Sequence, residues 1–346
     1  MFRPSDNAPP LAAIFGCGGP TLSDAERDFF RRSRPAGFIL FARNVEAPAQ
    51  VERLVADLRA CIEWEDAPVL IDQEGGRVAR LRPPHWRAAP PAKSFGDLAR
   101  GDREAGRRGA YLNALLLGVE LRALGISVDC APVLDLREPD AHDIIGDRAF
   151  SDDPEVVTDL GRAACEGFLA SGVLPVIKHV PGHGRALVDS HEDLPRVSAP
   201  LEALRERDFQ PFRDLSDMPI AMTAHIIYEA IDPDRPATTS KEIIASVIRS
   251  DIGFSGLLVS DDLSMQALRG AMGERTEAAL EAGCDIVLHC NGDMTEMEAV
   301  AEAARPLAES GAARLGNALS RVEGASQPEP AQAQAALDEL SEILDS

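Results

Sequence analysis

The chain has 346 residues, and its 35 Lys and Arg against 57 Asp and Glu leave a formal charge of −22. So acidic a surface repels phosphate backbones and anionic lipid, which makes nucleic acid and membrane surfaces poor partners. Hydrophobic residues at 45% and charged residues at 27% exclude a disordered or fibrous chain, and no apolar run reaches the roughly 18 residues of a membrane span.

In chain order, short apolar runs ending in Gly, Asn, Asp or His alternate with longer segments of mixed polarity. The runs fall at residues 11–16, 37–41, 68–72, 127–134, 174–179, 220–225, 256–260 and 285–289. Strands alternating with helices build a mainly parallel sheet, and eight such units close a barrel. The expected fold is therefore α/β, a (β/α)8 TIM barrel in a single domain over residues 1–323; an open doubly wound sheet is the competing arrangement. Helix starts are expected at Ser23, Asp102, Asp153 and Thr239-Ser240, and helix ends at Gly125, Gly172, Gly253 and Gly283. A Pro-, Ala- and Gln-rich linker over 324–334 precedes a terminal helix over 335–344, expected to pack on the barrel as an extension. Cys17, Cys61, Cys130, Cys165, Cys284 and Cys290 show no paired spacing, which reads as reduced, buried thiols. No signal-peptide pattern opens the chain, so a cytoplasmic enzyme is expected.

In a barrel the chemistry gathers where strands end. Strand three runs into Asp72-Gln73-Glu74-Gly75-Gly76-Arg77, and strand five into Lys178-His179-Val180-Pro181-Gly182-His183. Strand six ends at Thr223-Ala224-His225, and strand seven at Ser260-Asp261-Asp262; the loop after strand four carries Gly146-Asp147-Arg148. Asp261 suits a nucleophile, and either it or Asp262 equally suits a helix cap; two adjacent aspartates allow one of each. In Asp189-Ser190-His191 a carboxylate beside an imidazole forms a proton-transfer pair, although an exposed loop of ordinary polar residues has the same composition. Asp72, Arg148, Lys178 and His179 read as donors and an acceptor for hydroxyl groups, or as a buried network of ion pairs. His179 and His183 invite comparison with a metal site, which Pro181-Gly182 between them and Lys178 beside them argue against. No metal and no cofactor is expected. Nucleotide fingerprints, the Gly-x-Ser-x-Gly elbow and the His-Glu-x-x-His zinc helix are all missing from the sequence.

Taken together, residues 71–81, 131–136, 145–150, 178–184, 189–191, 222–225 and 260–265 resemble the bacterial β-N-acetylhexosaminidases of glycoside hydrolase family 3. The likeness runs over roughly residues 10–320, in the family's order. It implies a barrel that removes a terminal β-linked N-acetylglucosamine, in cytosolic members from an anhydro-muropeptide made during peptidoglycan turnover. On the matching positions it implies Asp261 as nucleophile, His191 as acid/base with Asp189 behind it, and Asp72, Arg148, Lys178 and His179 as sugar-binding residues. Asp262 is then the cap. The expected partner is a small carbohydrate, with no protein partner identifiable. A metal-dependent hydrolase on the same barrel, a sugar-binding barrel without catalysis and a phosphorylase that uses phosphate instead of water are the alternatives. Two stretches depart from the family's habit: Arg185-Ala-Leu-Val after Gly184, whose charge bears on the loop or the aglycone side, and residues 139–145 before Gly146, more acidic than is usual there.

Overall fold

The computed structural model describes residues 9–138, 144–186, 194–326 and 328–345. Eight parallel strands close a barrel, each paired with its sequence neighbour and the last with the first. We number them β1 (Leu11–Phe15), β2 (Pro35–Leu40), β3 (Val69–Ile71), β4 (Val128–Asp129), β5 (Leu174–Val180), β6 (Ile220–Thr223), β7 (Leu257–Asp262) and β8 (Ile286–His289). All eight expected strands are present, and closure over β1 and β8 (Ala13 opposite Val287) decides against the open sheet. Apart from the polar ends of β5 and β7, the strands are almost wholly apolar and buried, as parallel strands covered by helices must be.

The helices start where local chemistry starts them. Ser23 accepts from the Glu26 N–H at 3.2 Å while the Glu26 carboxylate accepts from the Ser23 N–H at 2.8 Å, so two otherwise orphaned donors are satisfied ahead of helix Asp24–Ser33. Asp102 and Asp153 cap helices Arg103–Ala123 and Pro154–Ser171 in the same way. At the end of the latter, Gly172 takes φ +83°, the left-handed conformation that glycine adopts without steric cost.

Three local expectations are corrected. The run at 127–134 is regular strand only over Val128–Asp129; beyond it single bonds to β5 continue, from the Val176 N–H to the Ala131 carbonyl at 3.0 Å and from the Lys178 N–H to the Pro132 carbonyl at 3.3 Å, and Pro132 has no N–H of its own to add to them. Ser240 rather than Thr239 caps the segment Ile243–Asp251, accepting from the Ile243 N–H, and that segment is wound as a π-helix. The terminal helix begins at Pro330, five residues before the expected start, since proline suits a first helical position and the Gln332 side chain accepts from the Glu329 N–H at 2.9 Å. It packs on helix Arg103–Ala123 through buried Ala336 and Leu340, with Arg108 gripping Glu339 by two bonds at 2.6 and 2.7 Å. Two short pairings lie outside the barrel: an antiparallel one between Gln73–Gly75 and Val78–Ala79, and a parallel one between Arg196–Val197 and Ile227–Tyr228. All six cysteines are buried and free. Among the described residues, no helix is long and apolar enough to cross a membrane.

Candidate active site

A cavity of about 370 Å³ opens at the carboxyl ends of the strands, lined among others by Asp72, Arg148, Lys178, His179 and Asp261. Residues separated by as much as 189 positions in sequence thus face one space, because parallel closure brings every strand's carboxyl end to the same rim. Asp189, His191 and the acidic stretch 139–143 lie outside the described residues.

One wall is a chain of buried ion pairs. The Lys178 ammonium, only 2% exposed, reaches Asp72 Oδ1 at 2.8 Å and Glu74 Oε1 at 2.7 Å. Arg148 grips Glu74 with two bonds of 2.8 Å, and Arg80 meets Asp72 Oδ2 at 3.0 Å. Burial pushes both carboxyls up, but the facing cations win: Asp72 sits far below the usual carboxylate range, held there by Lys178 and Arg80, and Glu74 falls to about 2 beside Arg148 and Lys178. Burial likewise opposes the Lys178 charge and the two carboxylates overcome it, so the ammonium persists far above neutral pH. The ion-pair reading of Asp72, Arg148 and Lys178 is the one the coordinates show. They form an internal network, and Asp72, Arg148 and Lys178 still border the cavity, where fixed charges can exchange partners with hydroxyl groups.

His179 is oriented from below. Its Nδ1 lies 2.7 Å from Asp135 Oδ2, and the backbone N–H groups of His179 and His183 donate to Asp135 Oδ1 at 3.2 and 2.6 Å. Asp135 is fully buried, which raises its carboxyl, but His179 and those N–H groups hold it below its ordinary value. With Nδ1 engaged by a carboxylate, Nε2 is the nitrogen left for a ligand. The ring of His183 lies 5.5 Å from that of His179 and nearly perpendicular to it; burial and the neighbouring His179 push the His183 imidazole down to about 4, so it is neutral at pH 7.

The two aspartates of β7 divide. Asp262 accepts from the Ser264 N–H at 3.0 Å, the Ser264 hydroxyl at 2.6 Å and the Cys290 N–H at 3.1 Å, tying the end of β7 to the end of β8. Asp261 accepts a single bond, from the Asp262 N–H at 2.8 Å, and among the described residues makes no ion pair. Burial raises its carboxyl, but His225 and His179 hold it below its ordinary value, so it is ionised at neutral pH. Behind it His225 is fixed on both nitrogens, at 2.7 Å from Thr238 Oγ1 and 2.9 Å from the Asp262 carbonyl. Among the described residues, Asp261 and Asp262 both line the cavity without an ion pair, and of the two Asp261 accepts the fewer bonds, opposite a wall of cations and hydrogen-bond donors.

A match to the model of the glycosyl hydrolase family 3 N-terminal domain covers residues 16–324. The chain belongs to glycosyl hydrolase family 3. A β-hexosaminidase from Nitrosomonas eutropha is 39% identical over 279 residues, 79% of this chain and 78% of the relative. One from Xanthomonas campestris pv. campestris strain B100 is 38% identical over 298 residues, 85% and 88% of the two chains. The structure of NagZ from Neisseria gonorrhoeae in complex with N-trifluoroacetyl-D-glucosamine superposes with a TM-score of 0.87 at 30% identity, covering 98% of this chain and 99% of that one. This family 3 protein is accordingly a glycoside hydrolase on a TIM barrel, as its motifs suggested.

Four residues in and around the cavity were not singled out for their part here: Glu74, Arg80, Asp135 and His225. All stand inside motifs that the resemblance rests on, so the signal was present, but only coordinates show that Glu74 bridges two cations or that Asp135 carries His179. Arg185 meets Asp208 at 2.8 Å and lies 3.8 Å from Glu138, so its charge is shared with these two carboxylates.

Proposed function

We propose that this family 3 hydrolase is a retaining exo-β-N-acetylglucosaminidase acting on terminal β-1,4-linked N-acetylglucosamine. Its substrate is a muropeptide with an anhydro-N-acetylmuramic acid aglycone, and its setting is cytoplasmic peptidoglycan recycling. The observation that carries the reading is the contrast on β7, where Asp262 is saturated and Asp261 faces the cavity ionised and unpaired. Asp261 attacks the anomeric carbon as the glycosidic C–O bond breaks, and protonated His191, supported by Asp189, gives its proton to the departing oxygen. The now basic His191 then takes a proton from water, which attacks the same carbon and frees the Asp261 carboxylate, so two inversions give net retention. A His in place of the usual second carboxylic acid does the same proton work near neutral pH. Asp72, Arg148, Lys178 and His179 hold the sugar hydroxyls. Substrate assistance by an acetamide typically uses an adjacent Asp-Glu pair; the Asp338-Glu339 pair lies on the terminal helix, with Glu339 bound to Arg108.

Turnover of a chromogenic N-acetyl-β-glucosaminide beside the matching β-glucoside tests the activity and the acetamide preference together. His191→Ala should damage hydrolysis of natural disaccharides, whose leaving groups need a proton, far more than that of nitrophenyl glycosides. Equal losses on both would remove His191 from the acid role, and a sugar phosphate formed only with added phosphate would replace hydrolysis by phosphorolysis.

A further inference from the structure

A groove of about 690 Å³ lies outside the catalytic cavity. It runs along the outer wall between the segment after β6, the segment after β7 and helix Met272–Ala282. Its lining includes Arg235, Lys241, Arg269 and Arg305, all exposed. Nearly every other cation of the described chain is engaged by a carboxylate or a backbone carbonyl. The Arg and Lys side chains that make neither an ion pair nor a hydrogen bond are Arg53, Arg137 and these four, which share one groove. In a chain of charge −22, carboxylates to pair them were abundant.

The four cations come from three separate segments, Arg235 and Lys241 after β6, Arg269 after β7 and Arg305 after helix Met294–Ala303, so the positive charge is distributed along the groove rather than focused on a point. Asp234 and Glu281 stand among them, and Glu274 there is occupied in accepting from the Ala271 N–H at 2.9 Å. Spaced cations with acidic residues between them suit a ligand whose carboxylates are spaced in the same way and whose amide N–H groups can donate in the gaps. A continuous polyanion would meet both those carboxylates and the acidic surface beyond. Screening confines that surface's repulsion to about 8–10 Å at ordinary salt, so a short ligand feels mainly the groove.

The groove also adjoins the catalytic loop. Arg275, on its wall, donates Nη1 to the Leu263 carbonyl at 2.7 Å and the Met265 carbonyl at 3.2 Å, and Nε to the Gly270 carbonyl at 3.0 Å. Met265 lines the catalytic cavity, so residues 263–270 form a partition between cavity and groove.

We propose that this groove is a binding site for a short acidic peptide, carried on the aglycone of the substrate or met as a free ligand. The binding site stands independently of the proposed reaction, and only the aglycone source rests on it.

Isothermal titration of the full chain at low salt with a tetraglutamate peptide, and with tetraglutamine as the uncharged control, tests it. Wild type should bind the acidic peptide alone. The double variant Arg235→Gln/Arg269→Gln should weaken that binding by about tenfold, the loss expected of charge-assisted contacts, whereas Arg53→Gln/Arg137→Gln, which removes the same net charge elsewhere, should change it less than about twofold. All four positions are exposed and unpartnered, so both variants should unfold at the wild-type midpoint. No binding by wild type, or equal losses in the two variants, would overturn the proposal. So would a dimer that only the groove variant dissociates, since the occupant would then be a second copy. Kinetics separate the sources: a KM rise in the groove variant confined to an N-acetyl-β-glucosaminide with a tetraglutamate aglycone assigns the aglycone. Unchanged KM for that substrate, together with lost tetraglutamate binding, assigns a free peptide.

Discussion

Replacing Asp261 by Asn and, separately, Asp262 by Ala should damage two different properties of the protein. Asp261 accepts only the Asp262 N–H, and an amide oxygen can keep that bond, so stability should move by no more than about 1 kcal/mol. Loss of the attacking carboxylate should lower kcat by at least about a thousandfold, some 4 kcal/mol of barrel-directed transition-state stabilisation at 1.36 kcal/mol per decade. Asp262→Ala removes the acceptor of three bonds at 2.6, 3.0 and 3.1 Å. Charge-assisted bonds contribute roughly 1.5–3 kcal/mol each when buried, and discounting for the half-buried position gives a loss of about 3 kcal/mol. Its kcat should stay within about tenfold wherever the variant is folded, because its oxygens are committed to the Ser264 and Cys290 donors. Urea denaturation at pH 7 and steady-state kinetics on a nitrophenyl N-acetyl-β-glucosaminide read both quantities. Azide added to Asp261→Ala should restore turnover and give the α-glycosyl azide. Activity above a few per cent in Asp261→Asn, or an Asp262→Ala protein that is inactive yet fully stable, would refute the division of labour.

Other perturbations follow from the same geometry. Asp135→Asn should lower kcat/KM by about tenfold to a hundredfold, because an amide NH2 facing His179 Nδ1 reverses the tautomer and the nitrogen offered to the sugar; unchanged kinetics would show that His179 needs no such orientation. Lys178→Met should cost only about 1–3 kcal/mol in a urea melt at pH 7, below the 3–5 kcal/mol usual for a broken buried pair, since Arg80 and Arg148 still neutralise Asp72 and Glu74. Asp129 is fully buried with Oδ2 unpartnered, and burial pushes its carboxyl up to about 8 despite the bond from the Gln73 N–H. A raised folded-state value means a contribution fully present below the unfolded value near 4 and lost as pH rises through about 8. Asp129→Asn, which mimics the protonated acid, should therefore gain on the wild type by a few kcal/mol between pH 5 and pH 8.5. An equal stability difference at both pH values would place the ionisation elsewhere.

How far the site was legible depended on whether a residue's role is local. Asp102 and Asp153 cap helices through bonds to N–H groups two or three positions on, so their neighbours suffice to show what they do. Asp261 and Asp262 have identical side chains at adjacent positions, and position alone left the cap and the reacting group open to either, the resemblance giving the cap to Asp262. The structure corrects the cap: the next helix starts at Met272, and Asp262 instead closes a turn with Ser264 and accepts from the N–H of Cys290, 28 residues away. Glu74 was similarly opaque, since its two cations, Arg148 and Lys178, lie one and two crossovers further along the chain.

The order of apolar runs, the capping residues and the spacing of the polar strand ends are consequences of local backbone preferences and of the need to bury alternate segments, and these determined the eight strands, the barrel class and the family. Closure determined the rest: which carboxylates face cations, which one faces an empty cavity, and which arginines face solvent unpaired along the outer wall. Electrostatic energy depends on distance through space and on exposure to water, and neither quantity exists for a residue until strands far apart in the chain have been brought side by side.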